Sequence, residues 1–446
     1  MLRDRFGNII TGASADAIDA FDTYGEDWLG YGTRIAQIFN AADGSPGSAY
    51  LNAHAAAAHM GLEAASGYRA AEPYLARAKA TAKDATAREQ CFVEAVDAWW
   101  QNKPQRAVAL QRHMAQEWPQ DLVAAKWGQY FTFNLGDADS MLAIAEAVLP
   151  AHQEVAYTHG MHAFGLEQSH RLTEAEAAGR KAVLMHRGDA WAHHAVAHVM
   201  ETQGRVEEGI AWLEDHSDTW EDRSIFMRGH NWWHLALFKL DLEDYNSVLE
   251  IFDRRLWGEW PDFSQEQIGA ISMLWRLEMR GLDVGDRWGP VADKVAEREL
   301  EHLQPFLDLH YIFALARAGR VTDVQRFLGS MRRHTDALDE ALAPIWHNIA
   351  LPAANAIAHY AFDRNDRAYP LLKEVMPHLQ AIGGSHAQRD VFVQTWIDVL
   401  MKTERPQEAA PLLKERVEAR PGIPVLQRLM AAASSAVAAP APSVAV

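Results

Sequence analysis

The sequence predicts an all-α fold in which helix pairs stack into a helical-repeat solenoid. Short polar turns recur at Gly67–Arg69, Asn102–Pro104, Gly136–Asp137, His170–Arg171 and Gly204–Arg205, at spacings of 35, 34, 34 and 34 residues. Each turn lies between segments whose apolar residues follow the helical period. No segment alternates between apolar and polar residues over enough positions to predict a β-strand. A regular period of this length indicates one helical unit repeated along the chain.

Turns continue at longer spacings through the second half of the chain, near Asp241, Gly281, Gly319, Asn365 and Glu404. We therefore expect about nine or ten helix pairs, each packed only against its neighbours. A period of about 34 residues is typical of the tetratricopeptide repeat. The predicted fold class is accordingly a tetratricopeptide-like solenoid, an α/α superhelix.

Composition along the chain predicts three segments. Residues 1–45 are partly helical in pattern and are expected to cap the first repeat. Residues 46–430 are expected to form the solenoid. Residues 431–446 are rich in Ala, Pro and Ser, a composition that predicts a disordered tail.

Charge and cysteine content exclude several classes of function. The chain of 446 residues has 60 acidic and 42 basic residues, a net charge of −18, which argues against binding of nucleic acid or anionic membranes. No apolar run is long enough to span a bilayer. Cys91 is the single cysteine, so the chain forms no internal disulfide and a cytoplasmic location is expected. Nucleotide-binding loops and the serine-hydrolase elbow are absent from the sequence.

Two segments carry the candidate chemistry. In DAWAHHAVAHVMETQG, His194 and His198 stand at i and i+4, and Glu201 follows three residues later. In GHNWWHLAL, His230 and His234 repeat the same spacing. Residues at i and i+4 lie one above the other on a helix. Two adjacent helices with such pairs therefore predict a site.

The repeat family indicates which way these side chains face. In a tetratricopeptide unit the first helix lines the concave surface, and its known inward positions can be transferred with Gly204 as the anchor. That register places Trp191, His194, His198 and Glu201 in the groove. The same register on the two preceding helices adds Lys126, Tyr130, Phe164 and Glu167. Apolar walls with a few polar groups are typical of a ligand pocket.

The order of several motifs resembles the tetratricopeptide repeat protein 38 family over nearly the whole chain. The motifs are DAWAHHAVAHVMETQG, GHNWWHLAL, RGLDVGDRW, LDLHYIFAL and GGSHAQRDVF. The resemblance supports the fold and the choice of site residues, and it implies no particular reaction. The residues that the family pattern retains are Lys126, Asp189, Trp191, His194, His198, Glu201, His230, Asn231, Trp233, His234, Asp308, His310, Gln388, Arg389 and Asp390.

One hypothesis for the site is a metal centre. The ligands would be His194, His198, His230 and His234. Asp308 or His310 is a further candidate ligand from later in the chain. Histidine and carboxylate donors suit Zn²⁺, Mn²⁺ or Fe²⁺ and leave a position for water or substrate.

A second hypothesis is acid–base chemistry without a metal ion, in an enzyme of hydrolase or lyase type. Glu201 would orient His198, and Asp308 would orient His310. Lys126 and Arg389 would hold a carboxylate or phosphate of the substrate. The remaining candidates for binding are Tyr130, Trp191, Asn231, Trp233 and Asp390.

A third hypothesis is a scaffold without enzymatic activity. Helical-repeat solenoids often bind a peptide or protein partner along the concave groove. A cluster of titratable groups on neighbouring inner helices favours a small-molecule site over such a groove. The sequence does not determine whether the chain forms a homodimer.

Overall fold

The structure is a computed structural model that describes residues 2–298, 300–339 and 342–438, and it has the all-α helical-repeat architecture that the sequence predicts. The helices of the N-terminal part are α1 (Ala15–Gly30), α2 (Gln37–Gly44), α3 (Ala49–Met60), α4 (Ala65–Thr81), α5 (Ala87–Trp100) and α6 (Pro104–Glu117). The helices of the central part are α7 (Leu122–Asn134), α8 (Ala138–Val148), α9 (Ala156–Gln168), α10 (Leu172–Met185), α11 (Ala190–Thr202), α12 (Val206–His216), α13 (Ile225–Asp241), α14 (Tyr245–Ile251), α15 (Ser264–Met279) and α16 (Trp288–Ala296). The helices of the C-terminal part are α17 (Pro305–Arg317), α18 (Val321–Ala337), α19 (Ala343–Ile345), α20 (Leu351–Ala361), α21 (Asn365–Val375), α22 (His386–Lys402), α23 (Pro406–Ala419) and α24 (Pro424–Ala438). None of the helices in these ranges is both long and apolar enough to cross a membrane.

Left-handed turn residues explain the period of 34 residues. At Asn102, Gly136, His170 and Gly204 the φ angles are 59°, 66°, 57° and 67°. A residue in the left-handed region ends an α-helix, and here it lets the next helix pack back against the one before. The predicted positions of these four turns are confirmed.

The first predicted turn lies elsewhere. Gly67 is inside the first turns of α4, and the chain reverses at Glu63, whose φ is 51°. Close packing explains the glycine, because a Cβ atom on Gly67 would lie 2.3 Å from the His59 carbonyl oxygen. The glycine at position 67 is therefore explained by a close contact between helices and not by a turn.

A small β-hairpin precedes the first helix, which the sequence pattern did not predict. Strands β1 (Leu2–Arg3) and β2 (Ile9–Ile10) pair in antiparallel fashion. The Asp4 carboxylate closes the turn between them by accepting from the backbone N–H groups of Phe6 (3.0 Å) and Asn8 (2.8 Å). Strands of two residues are too short to produce an alternating pattern.

The last helix extends into the segment with the composition of a disordered tail. Helix α24 continues to Ala438, so residues 431–438 are helical. Alanine has the highest helix propensity, and Ala433 is fully buried. The rest of that prediction, residues 439–446, lies outside the described residues.

The superhelix closes on itself, since the central repeats contact the N-terminal helices. The backbone N–H of Ser224 donates to the carbonyl oxygen of Tyr31 at 2.6 Å. The hydroxyl of Ser264 donates to the carbonyl oxygen of Leu62 at 2.9 Å. These contacts join segments about 200 residues apart and close one side of the concave face.

The C-terminal repeats close the other side. Gln380 Nε2 donates to the carbonyl oxygen of Gly136 at 3.1 Å. Arg420 forms an ion pair with Asp241, and its Cα lies 2.8 Å from where a Cβ on Gly204 would stand. Distant parts of the chain consequently border the concave face on both sides.

Replacement of Gly204 by alanine is expected to destabilise the fold by roughly 2–5 kcal/mol. A left-handed alanine costs about 1–2 kcal/mol, and overpacking against Arg420 adds about 1–3 kcal/mol. Gly319→Ala is the matched control, because its φ is 72° and nothing lies within 4 Å of the added Cβ. Urea unfolding of both variants separates the cost of the left-handed backbone from the cost of overpacking. Equal losses would show that the contact with Arg420 contributes nothing.

Candidate metal centre and adjoining cavity

Helices α11 and α13 hold the histidine cluster in place. Asp189 caps α11, since its side chain accepts from the Ala192 backbone N–H at 3.0 Å. Asn231 on α13 is fully buried, and its amide donates to the Ala190 carbonyl oxygen at 3.1 Å. Asn231, a predicted binding residue, therefore fixes the position of one helix against the other.

The two i, i+4 pairs converge on one point. One ring nitrogen from each of His194, His198, His230 and His234 lies within 4.8 Å of the other three. His194 Nε2 is 2.9 Å from His198 Nε2 and 3.1 Å from His230 Nε2. His194, His198 and His234 are buried, and His230 is partly buried. The arrangement is compact enough to surround a single ion.

Two carboxylates lie behind the cluster. Glu167 on α9 is fully buried, and its Oε2 is 3.4 Å from His198 Nδ1. Glu201 Oε2 is 3.2 Å from His234 Nδ1. The prediction that Glu201 orients His198 is wrong. Both residues are on α11, but the Glu201 side chain contacts His234 on α13. Each carboxylate contacts the Nδ1 atom of a histidine ring, and the Nε2 atom of that ring points toward the other histidines.

Burial and mutual repulsion keep three of the four rings neutral. Burial, followed by the neighbouring imidazoles, lowers the pKa of His194, His230 and His234 well below its ordinary value. Burial also acts to lower the pKa of His198, but the Glu167 carboxylate outweighs it and the pKa is raised. The pKa of Glu167 is lowered by the same contact, against its own burial. His198 and Glu167 thus behave as an ion pair.

The cluster adjoins a cavity of about 550 Å³, and His194 and His230 form part of its wall. Aromatic side chains make up much of the remaining wall, including Tyr31, Trp127, Tyr130, Phe164, Trp191 and Phe226. The volume is within the range of small-molecule sites. His198 and His234 lie on the far side of the cluster from this space.

Acidic side chains on the cavity wall have partners within the protein. Asp27 pairs with Arg34 at 2.7 Å. Glu63 accepts from the Tyr130 hydroxyl at 2.8 Å and from Gln304 Nε2 at 3.2 Å. These contacts satisfy the carboxylate oxygens within the protein, and the charge of Arg298 partly offsets that of Glu63. Tyr130, a predicted binding residue, lies on the wall with its hydroxyl group bonded to Glu63.

Trp191 connects the cluster with Lys126. The Trp191 and His194 rings stack at a centroid distance of 4.6 Å, and Lys126 Nζ lies 4.2 Å from the Trp191 ring centroid. Lys126 is also on the cavity wall. Two predicted site residues consequently share one surface with the histidines.

Trp233 supports the cluster from behind. Its ring is parallel to that of His230 at 5.5 Å, and the guanidinium of Arg276 lies 5.3 Å from the Trp233 ring centroid. Trp233 was predicted to bind ligand. The structure gives it a position from which it restrains the His230 ring.

Asp308 and His310 lie away from the cluster, so their predicted roles at this site are wrong. Asp308 Oδ2 is 2.7 Å from His302 Nδ1, and His310 Nδ1 is 2.8 Å from the Phe306 carbonyl oxygen. Both residues are on α17, which packs against α15 and is one helix removed from α13. The predicted pairing of Asp308 with His310 does not occur, since each side chain has a different partner.

Arg389 and Asp390 also have structural partners instead of the predicted ligand. Arg389 donates to the carbonyl oxygens of Gly383 (3.3 Å) and Gly384, so its guanidinium is committed to the backbone. Asp390 forms an ion pair with Arg416. Neither side chain lines the 550 Å³ cavity. The glycine-rich loop before α22 needs a donor for its carbonyl groups, and Arg389 supplies it.

The sequence prediction missed residues that the N-terminal helices and the central connections bring to the cavity. Tyr31, Glu63 and Arg223 all line it. No local pattern marks them, because their positions depend on contacts between distant repeats. Glu167, by contrast, was placed in the groove by the repeat register, although its histidine partner was not predicted.

Comparisons with known proteins add the following. No protein-family model matches the sequence. Among solved structures, the chain is similar to the human IFIT1 dimer with m7Gppp-AAAA, at a TM-score of 0.42 and 11% identity, covering 98% of this chain and 98% of that chain. It is also similar to yeast Tom70, at a TM-score of 0.34 and 12% identity, covering 95% of this chain and 89% of that chain. Likeness at this level concerns the fold alone.

Proposed function

We propose that the four histidines bind one divalent transition-metal ion, with Zn²⁺ the first choice, and that the adjoining cavity binds a small organic molecule beside it. The protein would then be a metal-assisted enzyme of hydrolase or lyase type. A bound ion of this kind polarises a carbonyl group or supplies a hydroxide at neutral pH. The four imidazole donors favour Zn²⁺ or Fe²⁺ over Mn²⁺, which prefers oxygen ligands.

The contacts of His194 Nε2 carry this proposal. A ring nitrogen of a neutral imidazole either donates one hydrogen bond or accepts one. His194 Nε2 has two ring nitrogens at hydrogen-bond distance, those of His198 at 2.9 Å and His230 at 3.1 Å. Only one of the two contacts can be a hydrogen bond, whereas a cation that displaces the proton from His198 would accept the lone pairs of all three nitrogens. Zn–N bonds of about 2.0–2.1 Å place tetrahedral nitrogen ligands roughly 3.3–3.4 Å apart, close to the two distances at His194 Nε2, and all four nitrogens lie within 4.8 Å of one another.

The surrounding groups support a metal ion as well. His234 Nε2 and His194 Nδ1 are buried without a hydrogen-bond partner among the described residues. The Nε2 atom of His234 is therefore available as a ligand for a metal ion. Glu167 and Glu201 contact the Nδ1 atoms of His198 and His234. Carboxylates in this position fix the tautomer and raise the basicity of ligating histidines.

The limited volume favours a small molecule over a peptide in the cavity. The side chains that close the concave face leave a space of about 550 Å³, which fits a compact organic ligand. An extended peptide needs an open groove along several repeats. A scaffold function would therefore use a different surface of the solenoid.

We also propose that the chain is a member of the tetratricopeptide repeat protein 38 family. The motifs DAWAHHAVAHVMETQG and GHNWWHLAL, which carry the resemblance, supply all four cluster histidines. An alignment of family sequences would test this proposal. A match along the whole chain, with the five motifs in the same order, would support membership, and a match confined to the repeat period would contradict it.

Metal content of tag-free protein is the direct test of the proposed function. The chain is expected to retain or take up about one ion, measured by inductively coupled plasma mass spectrometry after reconstitution with Zn²⁺ or Fe²⁺. A chain that binds neither ion under these conditions would overturn the proposal.

Glu167→Gln is expected to weaken Zn²⁺ binding about 10–100-fold, because the second-layer carboxylate no longer orients His198. Competition with a chromophoric chelator measures the affinity. Glu174→Gln is the control, since Glu174 lies on the neighbouring helix α10, is 58% exposed and pairs with Arg171. An unchanged Zn²⁺ affinity in the Glu167 variant would show that this carboxylate does not contribute to metal binding.

A further inference from the structure

Lys126 has an unusual environment for a lysine. Only 3% of the residue is exposed, and its side chain lies on the wall of the 550 Å³ cavity. Its Nζ atom is 4.7 Å from the ring centroid of Tyr31 and 4.2 Å from that of Trp191. Within the described ranges, no carboxylate is at ion-pair distance from Nζ and no hydrogen-bond acceptor contacts it. The amine therefore faces the cavity with two aromatic rings as its nearest neighbours.

Burial favours the neutral amine, whereas the two ring faces attract the charged form. An ammonium ion is costly to bury without a partner, and burial lowers the pKa of Lys126 to about 7, with the Asp189 charge acting in the opposite direction. Lysines on the surface differ: Lys294 pairs with Asp262 at 2.8 Å, and its pKa is raised. A desolvated lysine with a neutral amine is a nucleophile toward carbonyl compounds.

The charged and titratable groups around Lys126 come from several helices. Asp189 caps α11 and Tyr31 follows α1. His194 and Arg223 lie on the same cavity wall. Arg223 has no carboxylate partner among the described residues, and arginine keeps its charge at all ordinary pH values. Arg223 is therefore a permanent positive charge on this wall, whereas Lys126 has a lone pair available when its amine is neutral.

We propose that Lys126 is an imine-forming amine, which captures the carbonyl carbon of a small aromatic or aliphatic aldehyde or ketone bound among Tyr31, Trp191 and Phe164. The inference rests on the cavity of the proposed function and does not depend on the metal ion. The three rings provide the apolar contact that such a carbonyl compound needs.

The reaction is a balanced condensation. Nζ forms a bond to the carbonyl carbon, and the carbonyl oxygen becomes a hydroxyl group. That hydroxyl leaves as water while the C=N bond forms, and both amine protons end on the water molecule. No oxidant or reductant is required, and hydrolysis of the imine restores the amine. The site would hold a carbonyl compound covalently but reversibly beside the histidine cluster.

Reductive trapping tests the proposal. Metal-free protein is treated at pH 7 with benzaldehyde and sodium cyanoborohydride, and the benzylated lysines are identified by peptide mass spectrometry. Lys126 is expected to react at least tenfold faster than exposed lysines such as Lys83, which serve as internal controls in the same sample. Lys126→Arg is expected to lose this fast site, and Lys79→Arg, at a lysine whose side chain is 49% exposed, is expected to keep it.

The pH dependence provides a second readout. Between pH 7 and pH 9 the neutral fraction of an amine with a pKa near 7 rises about twofold, while that of an ordinary lysine rises roughly a hundredfold. The advantage of Lys126 over surface lysines should therefore shrink as the pH rises. Labelling of Lys126 no faster than exposed lysines at pH 7 would overturn the proposal. Because the protein is metal-free in this experiment, failure of imine formation and failure of metal binding are observed independently.

Discussion

The His194→Ala/His198→Ala double variant is expected to lose metal binding completely while keeping its helical structure. It removes two of the four converging nitrogens, including the Nε2 atom that contacts both neighbouring rings. The two histidines that remain on α13 cannot fill the coordination sphere that Zn²⁺ requires. Metal content should fall from about one ion per chain to none. Circular dichroism should show unchanged helix content.

Thermal unfolding gives an independent measure of the same effect. A metal ion that binds only the folded state stabilises it by about 2.7 kcal/mol when its concentration is a hundredfold above the dissociation constant. The unmodified chain should therefore unfold at a higher temperature with Zn²⁺ than without it. The double variant should show no such difference.

His193→Ala is the matched control for this prediction. His193 is the residue before His194 on α11 and is fully buried, but its Nε2 atom is 2.8 Å from the Arg187 carbonyl oxygen, away from the cluster. This variant should bind one ion with unchanged affinity. Metal retained by the double variant, or lost by His193→Ala, would contradict the assignment of the ligands.

Asp390→Ala is expected to destabilise the fold by about 3 kcal/mol, because it leaves the buried Arg276 and the partly buried Arg416 without their counter-ion. Asp390 forms an ion pair with Arg416, whose side chain is 16% exposed, and its second oxygen accepts from Gln394 Nε2 at 2.6 Å. The buried Arg276 guanidinium is also within its electrostatic reach. Urea unfolding at neutral pH measures the loss.

The destabilisation caused by Asp390→Ala should persist as the pH is lowered to about 5. Burial acts to raise the pKa of Asp390, but Arg416 and the neighbouring arginines outweigh it and hold the pKa well below the ordinary value. A carboxyl group with a lowered pKa in the folded state stabilises it at pH values above the unfolded pKa of about 3.9. This contribution is lost only as the pH falls further, through the folded pKa. The difference between Asp390→Ala and the unmodified chain should thus be constant from pH 8 to about pH 5.

An exposed aspartate provides the control. Asp222 is exposed, and its replacement by alanine should change the free energy of unfolding by less than about 0.5 kcal/mol. A loss as small as this for Asp390→Ala would show that Arg416 and Arg276 need no counter-ion.

The repeat period and the histidine spacing follow from the amino-acid sequence alone. Turn residues such as Gly136, His170 and Gly204 are visible in a single sequence because the left-handed conformation recurs at each helix junction. The i, i+4 spacing of His194 with His198, and of His230 with His234, is equally local. It follows from helix geometry alone which of these side chains share a face.

The contacts between side chains of different helices, in contrast, depend on how the helices pack in the folded protein. Glu167, not Glu201, contacts His198, and Asp308 lies next to His302 instead of His310. Arg389 bonds to the loop before α22, whereas Lys126 faces the cavity. These partnerships depend on the packing of helices and on closure of the superhelix, which joins segments such as those of Leu62 and Ser264. Helix period constrains neighbours a few residues apart, but it contains no information about contacts between residues separated by one or more repeats.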